Sequence, residues 1–374
     1  MARIGFLSHS DMSIYFFRRP IMIALQQMGH EVFAIAPKGD FTSKLSEFNC
    51  VTYELDRASI NPLIVMKNTK KLSEILAGLN LDLLQTSAHK SNVFGTYAAK
   101  QAGIKHVINL VEGLGSFYID NDFKTKIVRF GIETLYKRAL KMSDCCIFVN
   151  ESDPKYFLSS GLIDASKVVK IKSVGVDTQK FDKNYVFAAD LGDELSDKKI
   201  VLMIARAMWH KGVREFYEAA EILKYRTDCR FVYVGDGFDG NKSTADLKFL
   251  NSGNVLYLGA RDDIPELLKA SYILALPSYK EGFPRTILEA MAMSCAVVAS
   301  DVAGCNEAVI DGVNGLLCEV KNSASLAAKI KILLDDKDFT RQLGCNGRDI
   351  AIREFDEKVV AQKYIEIYRK FIDV

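Results

Sequence analysis

Short, nearly unbroken runs of valine, isoleucine and leucine alternate with amphipathic helical stretches along this chain, and the series runs twice. The first series places strands at 3–8, 31–37, 51–55, 81–87, 105–111, 145–150 and 167–174. The second places them at 199–205, 230–235, 254–259, 272–277, 296–300 and 314–319. Runs that do not alternate polar and apolar residues are what strands buried on both faces require. Helical patterns fall between them, at 15–28, 62–78, 91–102, 211–224, 286–294 and 323–334. Strand–helix alternation implies parallel sheets covered by helices, so two series imply two doubly wound α/β domains. The length of 374 residues agrees, being too great for one ordinary domain. Sheets of this kind bind ligands outside the carboxyl ends of their strands, so two facing domains would place a cleft between those edges.

The expected boundaries are a first domain at 1–178, a linker at 179–198, a second domain at 199–354 and a terminal helix at 355–374 crossing the seam. The linker covers the polar, acidic stretch before the eighth strand. No apolar run approaches the ~18–20 residues of a membrane span. The opening MARIGFLSHS runs straight into a strand and resembles no secretory leader. None of the eight cysteines forms a C-x-x-C pair, and most sit in apolar runs, so they read as small buried hydrophobes in a reducing compartment. A net charge of +2 speaks against a nucleic-acid binder. Residues 1–180 nonetheless carry 23 Lys/Arg against 17 Asp/Glu, so the front half is the better match for an anionic partner.

Chemistry concentrates in the second half. In LALPSYKEGFPRTILEAMA, Glu281 lies in a loop after a strand, and Glu289 lies one turn into the following helix. Pro284 sets the helix start near Arg285, leaving the N–H groups of Arg285, Thr286 and Ile287 available to an anion such as a diphosphate. The flanking carboxylates suit sugar hydroxyls. Upstream, Arg206 ends one strand and Lys211 opens the next helix. A forked guanidinium and a mobile ammonium at a strand-to-helix turn suit phosphate oxygens.

These segments resemble the retaining glycosyltransferases of family 4. The resemblance rests on Arg206-x4-Lys211-Gly212 and on Glu281-Gly-Phe-Pro…Glu289-Ala. It extends through Gly259, Pro277-Ser278, Gly304…Glu307 and Asp311-Gly312-x-x-Gly315. It implies the α/β GT-B fold, two Rossmann-like domains facing across a cleft. It also implies roles. Arg206 and Lys211 hold the donor diphosphate, and Glu289 meets the ribose. Glu281 meets the donor sugar, with Gly282, Phe283, Pro284, Arg285, Thr286 and Ile287 around sugar and phosphate. Arg261 marks the place of the uracil base, and His89 stands near the transferring sugar. The stretches SIYFFRRP, LDRASINP, SAHKSNVFG, VEGLGSFYID, FVNES and ARAMWHKGVREFYE sharpen the resemblance. They look like the members that move N-acetylgalactosamine from UDP-N-acetylgalactosamine, α-1,3-linked, onto undecaprenyl-diphosphate-linked N,N′-diacetylbacillosamine in bacterial protein N-glycosylation. The chain departs from the family at SHSDMS after the first strand, at AMAMSCAVV, and at Ala205.

The helix expected at 122–141 carries six basic residues against two acidic ones. Lys126, Arg129, Lys137 and Lys141 fall on one face, and Ile127, Val128, Ile132 and Leu135 on the other. A basic amphipathic helix lies well on an anionic bilayer. With Arg18, Arg19 and Lys124, it makes the expected membrane and acceptor patch of a peripheral protein at the cytoplasmic face of the bacterial inner membrane. Taken alone, a helix that packs its apolar face on the sheet and leaves a solvated basic face is the commoner case. Asp120 and Asp122 form an Asp-x-Asp, read here as a helix cap, so no metal and no cofactor beyond the donor is expected. Other readings of the same pattern are a different UDP-sugar transferase, a sugar-nucleotide epimerase of the same architecture, and a non-catalytic partner protein.

Overall fold

The computed structural model describes the chain apart from residues 55–61, 115–117, 119–122, 185–186, 193–194, 238–242 and 374, and apart from the side chains of 62, 63, 123–125 and 127. The stretch LDRASINP, all but its final proline, therefore lies outside the described residues, as do Asp120, Asp122 and the side chain of Lys124.

The chain divides into two units, Met1–Val174 with Glu357–Val374, and Gly175–Asp356. In the first unit the order is β1 (Arg3–Ser8), α1 (Asp11–Phe17), α2 (Arg19–Gln27), β2 (Glu31–Ala36), β3 (Asn49–Thr52), α3 (Pro62–Leu79), β4 (Leu83–Ser87), α4 (Thr96–Gln101), β5 (His106–Val111), α5 (Phe123–Met142), β6 (Cys145–Phe148), α6 (Ser152–Ser159) and β7 (Val168–Lys170). Its parallel sheet has the order β3-β2-β1-β4-β5-β6-β7. Strand β4 is buried at every position, including its polar residues Gln85, Thr86 and Ser87.

The second unit runs β8 (Lys199–Ile204), α7 (Val213–Ile222), β9 (Cys229–Val234), α8 (Leu247–Leu250), β10 (Val255–Tyr257), α9 (Ile264–Ala270), β11 (Ser271–Leu276), α10 (Arg285–Ala292), β12 (Ala296–Ser300), α11 (Cys305–Ala308), β13 (Leu316–Cys318), α12 (Ser323–Asp335) and α13 (Lys337–Ile350). Its sheet is also parallel, in the order β10-β9-β8-β11-β12-β13. One face of α7 (Val213, Phe216, Tyr217, Ala220) joins Leu326, Ile330 and Leu333 of α12 in a core over the sheet. Each large apolar side chain so buried contributes about 1.5–3 kcal/mol. Asn322 and Asp336 open α12 and α13 by accepting from backbone N–H groups of Ser325 and Phe339 at 2.9 Å each.

Every expected strand is present. Two expected helices differ in detail. The stretch 15–28 is two helices, broken at Arg18 ahead of Pro20, which lacks an N–H and crowds the turn before it. The stretch 91–102 begins with a wide π-type turn, Ser91–Gly95, before α4. There Asn92 turns inward and donates to Leu110 O and Tyr136 Oη, both at 2.8 Å. The final helix, α14 (Glu357–Tyr368), belongs to the first unit and packs on α2.

Five cysteines are buried, and all eight are free. No helix among the described residues is long and apolar enough to cross a membrane.

Candidate donor site and acceptor-side residues

In each sheet the strand order reverses once, between β1 and β4 and between β8 and β11. Loops leaving adjacent strands at such a point splay apart and leave room for a ligand. In the second unit, those loops carry Arg206 and Lys211 after β8 and Glu281 after β11.

The two loops are tied together. Lys211 Nζ donates to Glu281 Oε1 at 2.6 Å, and the side chains are only 16% and 11% exposed. Ser278, fully buried, donates to the same carboxylate oxygen at 2.7 Å. Tyr279 N donates to His210 O at 2.9 Å. Gly212 has φ of +80°, and a Cβ there would lie 2.1 Å from Pro277 O, so only glycine lets the loops approach this closely. Gly304 acts likewise from a third loop, where a Cβ would lie 2.5 Å from Gly282 O. A largely buried ion pair holding a further hydrogen bond is a prearranged charge site.

Helix α10 starts at Arg285, as expected from Pro284, which adopts an extended conformation at its N-cap. Arg285 Nε lies 3.0 Å from Glu289 Oε1, one turn along. Burial raises the Glu289 carboxyl above its usual value, against the opposing pull of Arg285 and Lys180. Phe283 is buried, its ring 5.4 Å from that of Phe355. One expectation fails: the N–H of Ile287 is not available to an anion, because it donates to Pro284 O at 3.2 Å in a tight first turn.

The remaining second-unit residues are placed separately. Arg206 is exposed at the end of β8. Arg261, after β10, makes a two-pronged contact with Asp263 at 2.8 and 2.5 Å. Ser278 and Lys180 join the site through space. Ser278 belongs to the Pro277-Ser278 pattern, but nothing in the sequence near Lys180 points to Glu289.

In the first unit, His89 follows β4 at that unit's own reversal point. Its Nε2 lies 3.1 Å from Leu114 O. Tyr118 stacks on the imidazole at 6.4 Å, and Tyr136 meets it edge-on at 5.7 Å. Ala88 before it has φ of +73°, a left-handed conformation that costs a non-glycine residue about 1–3 kcal/mol and concentrates at functional sites.

The expected basic patch is partly rearranged. Arg18 leaves it: the side chain is 1% exposed, pairs with Glu112 at 2.5 Å and lies over the ring of Tyr364 in α14. The break ahead of Pro20 turns Arg18 inward. Arg19 is at the surface but forked onto Glu47. Arg129 is half-buried over the ring of Tyr118 at 5.1 Å. The face division of α5 also differs. Tyr136, Ala139 and Leu140 form its buried side, while Val128, Leu135 and a 75%-exposed Phe130 share the outer surface with Lys126, Lys137, Arg138 and Lys141. Larger aromatic and apolar residues one turn along satisfy the core, which leaves Val128 and Leu135 outside. No cluster of three or more potential metal ligands occurs among the described residues.

The chain belongs to the group 1 glycosyltransferases and has the GT-B fold. Residues 192–350 match the family "Glycosyl transferases group 1", and residues 3–150 match "Glycosyl transferase 4-like". The chain is 48% identical, over 99% of both sequences, to the N,N′-diacetylbacillosaminyl-diphospho-undecaprenol alpha-1,3-N-acetylgalactosaminyltransferase of Campylobacter jejuni. It is 28% identical to the UDP-Gal:alpha-D-GlcNAc-diphosphoundecaprenol alpha-1,3-galactosyltransferase of Escherichia coli, over 85% of this chain and 86% of that one. Among solved structures, HepE of Anabaena in complex with UDP and glucose superposes with a TM-score of 0.80 at 20% identity, covering 99% of this chain and all of that one. A glycosyltransferase from Rickettsia africae superposes with a TM-score of 0.78 at 23% identity, over 99% and 98% of the two chains.

Proposed function

We propose that this glycosyltransferase moves N-acetylgalactosamine from UDP-N-acetylgalactosamine to undecaprenyl-diphosphate-linked N,N′-diacetylbacillosamine, forming an α-1,3 linkage with retention. The observation that carries the reading is the 48% identity, end to end, with a transferase named for that reaction.

The second unit supplies chemistry suited to the donor. Lys211 and Arg206 stabilise charge as it develops on the leaving diphosphate. Glu281, held by Lys211 and Ser278, orients the sugar hydroxyls. Glu289 accepts from the ribose, and the loop at Arg261 faces the base. Phe283, Pro284 and the α10 start with Arg285 and Thr286 line sugar and phosphate. His89 is assigned to the transferring sugar. No second carboxylate is assigned to the opposite face of the sugar, so the acceptor hydroxyl attacks from the leaving-group side. The departing phosphate oxygen takes its proton. With two cations serving the diphosphate, no metal is required in this scheme.

The acceptor is a polyprenyl diphosphate, so the enzyme works as a peripheral protein at the cytoplasmic face of the inner membrane. The outer surface of α5, with its basic residues around Phe130, is the surface we assign to the anionic bilayer.

The test is incubation with a panel of UDP-sugars, with and without the lipid-diphosphate acceptor, read by mass spectrometry. The expected result is addition of one N-acetylgalactosamine, dependent on acceptor. Preference for another UDP-sugar would overturn the donor assignment. An altered sugar nucleotide formed without acceptor would indicate an epimerase.

A further inference from the structure

Glu215 lies in the first turn of α7 and is only 5% exposed. It lies in the stretch ARAMWHKGVREFYE but is given no role at the donor site by the resemblance. Burying a carboxylate is costly unless its oxygens are satisfied. Here one oxygen accepts from Tyr279 Oη at 2.6 Å, while Oε2 has no hydrogen-bond partner. A buried carboxylate oxygen left without a partner calls for a reason.

What it holds is the loop bearing Glu281. Tyr279 sits two residues before Glu281, between Ser278, which donates to Glu281, and Lys280. The Tyr279 backbone N–H reaches His210 O, next to Lys211, at 2.9 Å. Its hydroxyl reaches Glu215, four residues beyond Lys211, at 2.6 Å. The ammonium of Lys321 covers its ring at 4.9 Å. One residue is therefore clamped to both ends of the segment that presents Lys211, and it belongs to the loop that presents Glu281. We infer that Glu215 and Tyr279 are a positioning pair that sets the Lys211–Glu281 contact, and hence the placement of the donor sugar against its diphosphate. The Tyr279 hydroxyl is directed at α7, so the pair acts through Lys211 and Glu281. The inference rests on the reading of those two residues as donor-site groups.

The pair makes a specific demand on chemistry. Tyr279 must donate and residue 215 must accept. Glutamine at 215 still offers a carbonyl oxygen, whereas leucine does not. The test compares the unmodified enzyme with Glu215→Gln, Glu215→Leu, Tyr279→Phe, Glu281→Gln and the Tyr279→Phe/Glu281→Gln double variant. It measures kcat for transfer from UDP-N-acetylgalactosamine, affinity for UDP by calorimetry, and folding by circular dichroism. The expected result is a kcat about tenfold lower for Tyr279→Phe and Glu215→Leu, with UDP affinity changed less than about threefold and Glu215→Gln near the unmodified rate (tenfold being 1.4 kcal/mol). Adding Tyr279→Phe to Glu281→Gln should cost little more, because the group being positioned is already impaired. Unchanged kcat in Tyr279→Phe, or an equal loss in both backgrounds, would overturn the positioning role. Loss of UDP binding or of the folded spectrum in every variant, Glu215→Gln included, would make the pair part of the unit's stability instead. Full activity of Glu281→Gln would overturn the donor-site reading itself, and the pair's role with it.

Discussion

Glu289 shows how the surroundings of one residue define its work. Its carboxyl is raised by burial, so the folded protein holds that proton more tightly than the unfolded chain does. The group therefore favours folding at low pH, and the contribution is lost as pH rises through the raised value. In the ribose role proposed for Glu289, binding runs the other way, since the ionised form is the better acceptor. Affinity for a UDP-sugar should fall on acidification, starting at higher pH than an ordinary glutamate would cause. Glu289→Gln should lower affinity roughly tenfold at neutral pH, given ~1.5–3 kcal/mol for a hydrogen bond to a charged group, and should flatten the acid limb. A limb unchanged in that variant would assign it elsewhere. Arg206→Ala and Lys211→Ala should each reduce turnover by ~10²-fold or more, by analogy with loss of one transition-state donor. Lys211→Ala also strips Glu281 of its ion-pair partner, so Arg206→Ala is the cleaner measurement. Turnover within a factor of three of the unmodified enzyme would remove Arg206 from the phosphate site.

At the scale of elements, α5 is the most exposed to test. Its outer surface mixes Lys126, Lys137, Arg138 and Lys141 with Phe130, a composition suited to the headgroup layer of a bilayer. Binding to anionic vesicles should weaken with salt, because each cation near the surface gains only about 1 kcal/mol from a potential that ions screen. Lys126→Glu/Lys137→Glu/Lys141→Glu should abolish that binding. It should also slow transfer to a long-chain acceptor in vesicles more than transfer to a short soluble analogue. Equal slowing on both would place the residues in the acceptor pocket. The strand–helix rhythm made the strands legible, most plainly the buried apolar runs such as β8 and β12, while the edge strand β3 is mostly exposed. Helix faces were less legible. Val128 and Leu135 fit an inward stripe on periodicity, yet Tyr136, Ala139 and Leu140 fill the space available. Arg18 reads as a surface cation until Pro20 breaks the helix and Glu112 and Tyr364 receive it. A pairing across 94 residues leaves no local trace.

At the scale of the whole molecule, the placement of the candidate donor-site residues in the second unit was largely legible. These residues sit at fixed offsets from strand ends, and the reversal of strand order between β8 and β11 brings those ends together. The tie between Lys211 and Glu281 and the support from Ser278 and Tyr279 depend on how two loops 70 residues apart pack, which spacing does not encode. The return of the chain's end, α14, to the first unit is likewise a matter of packing, its Tyr364 lying against Arg18. On the proposal that Arg206 and Lys211 serve the diphosphate, transfer should persist in excess chelator, and strict dependence on added magnesium or manganese would bring Asp120 and Asp122 into the reaction. The most direct measurement is nuclear magnetic resonance of the product made from UDP-N-acetylgalactosamine and a diphosphate-linked N,N′-diacetylbacillosamine. A single N-acetylgalactosamine joined α-1,3 is the expected result. A β anomer, a different linkage, or release of free sugar with the acceptor untouched would contradict it.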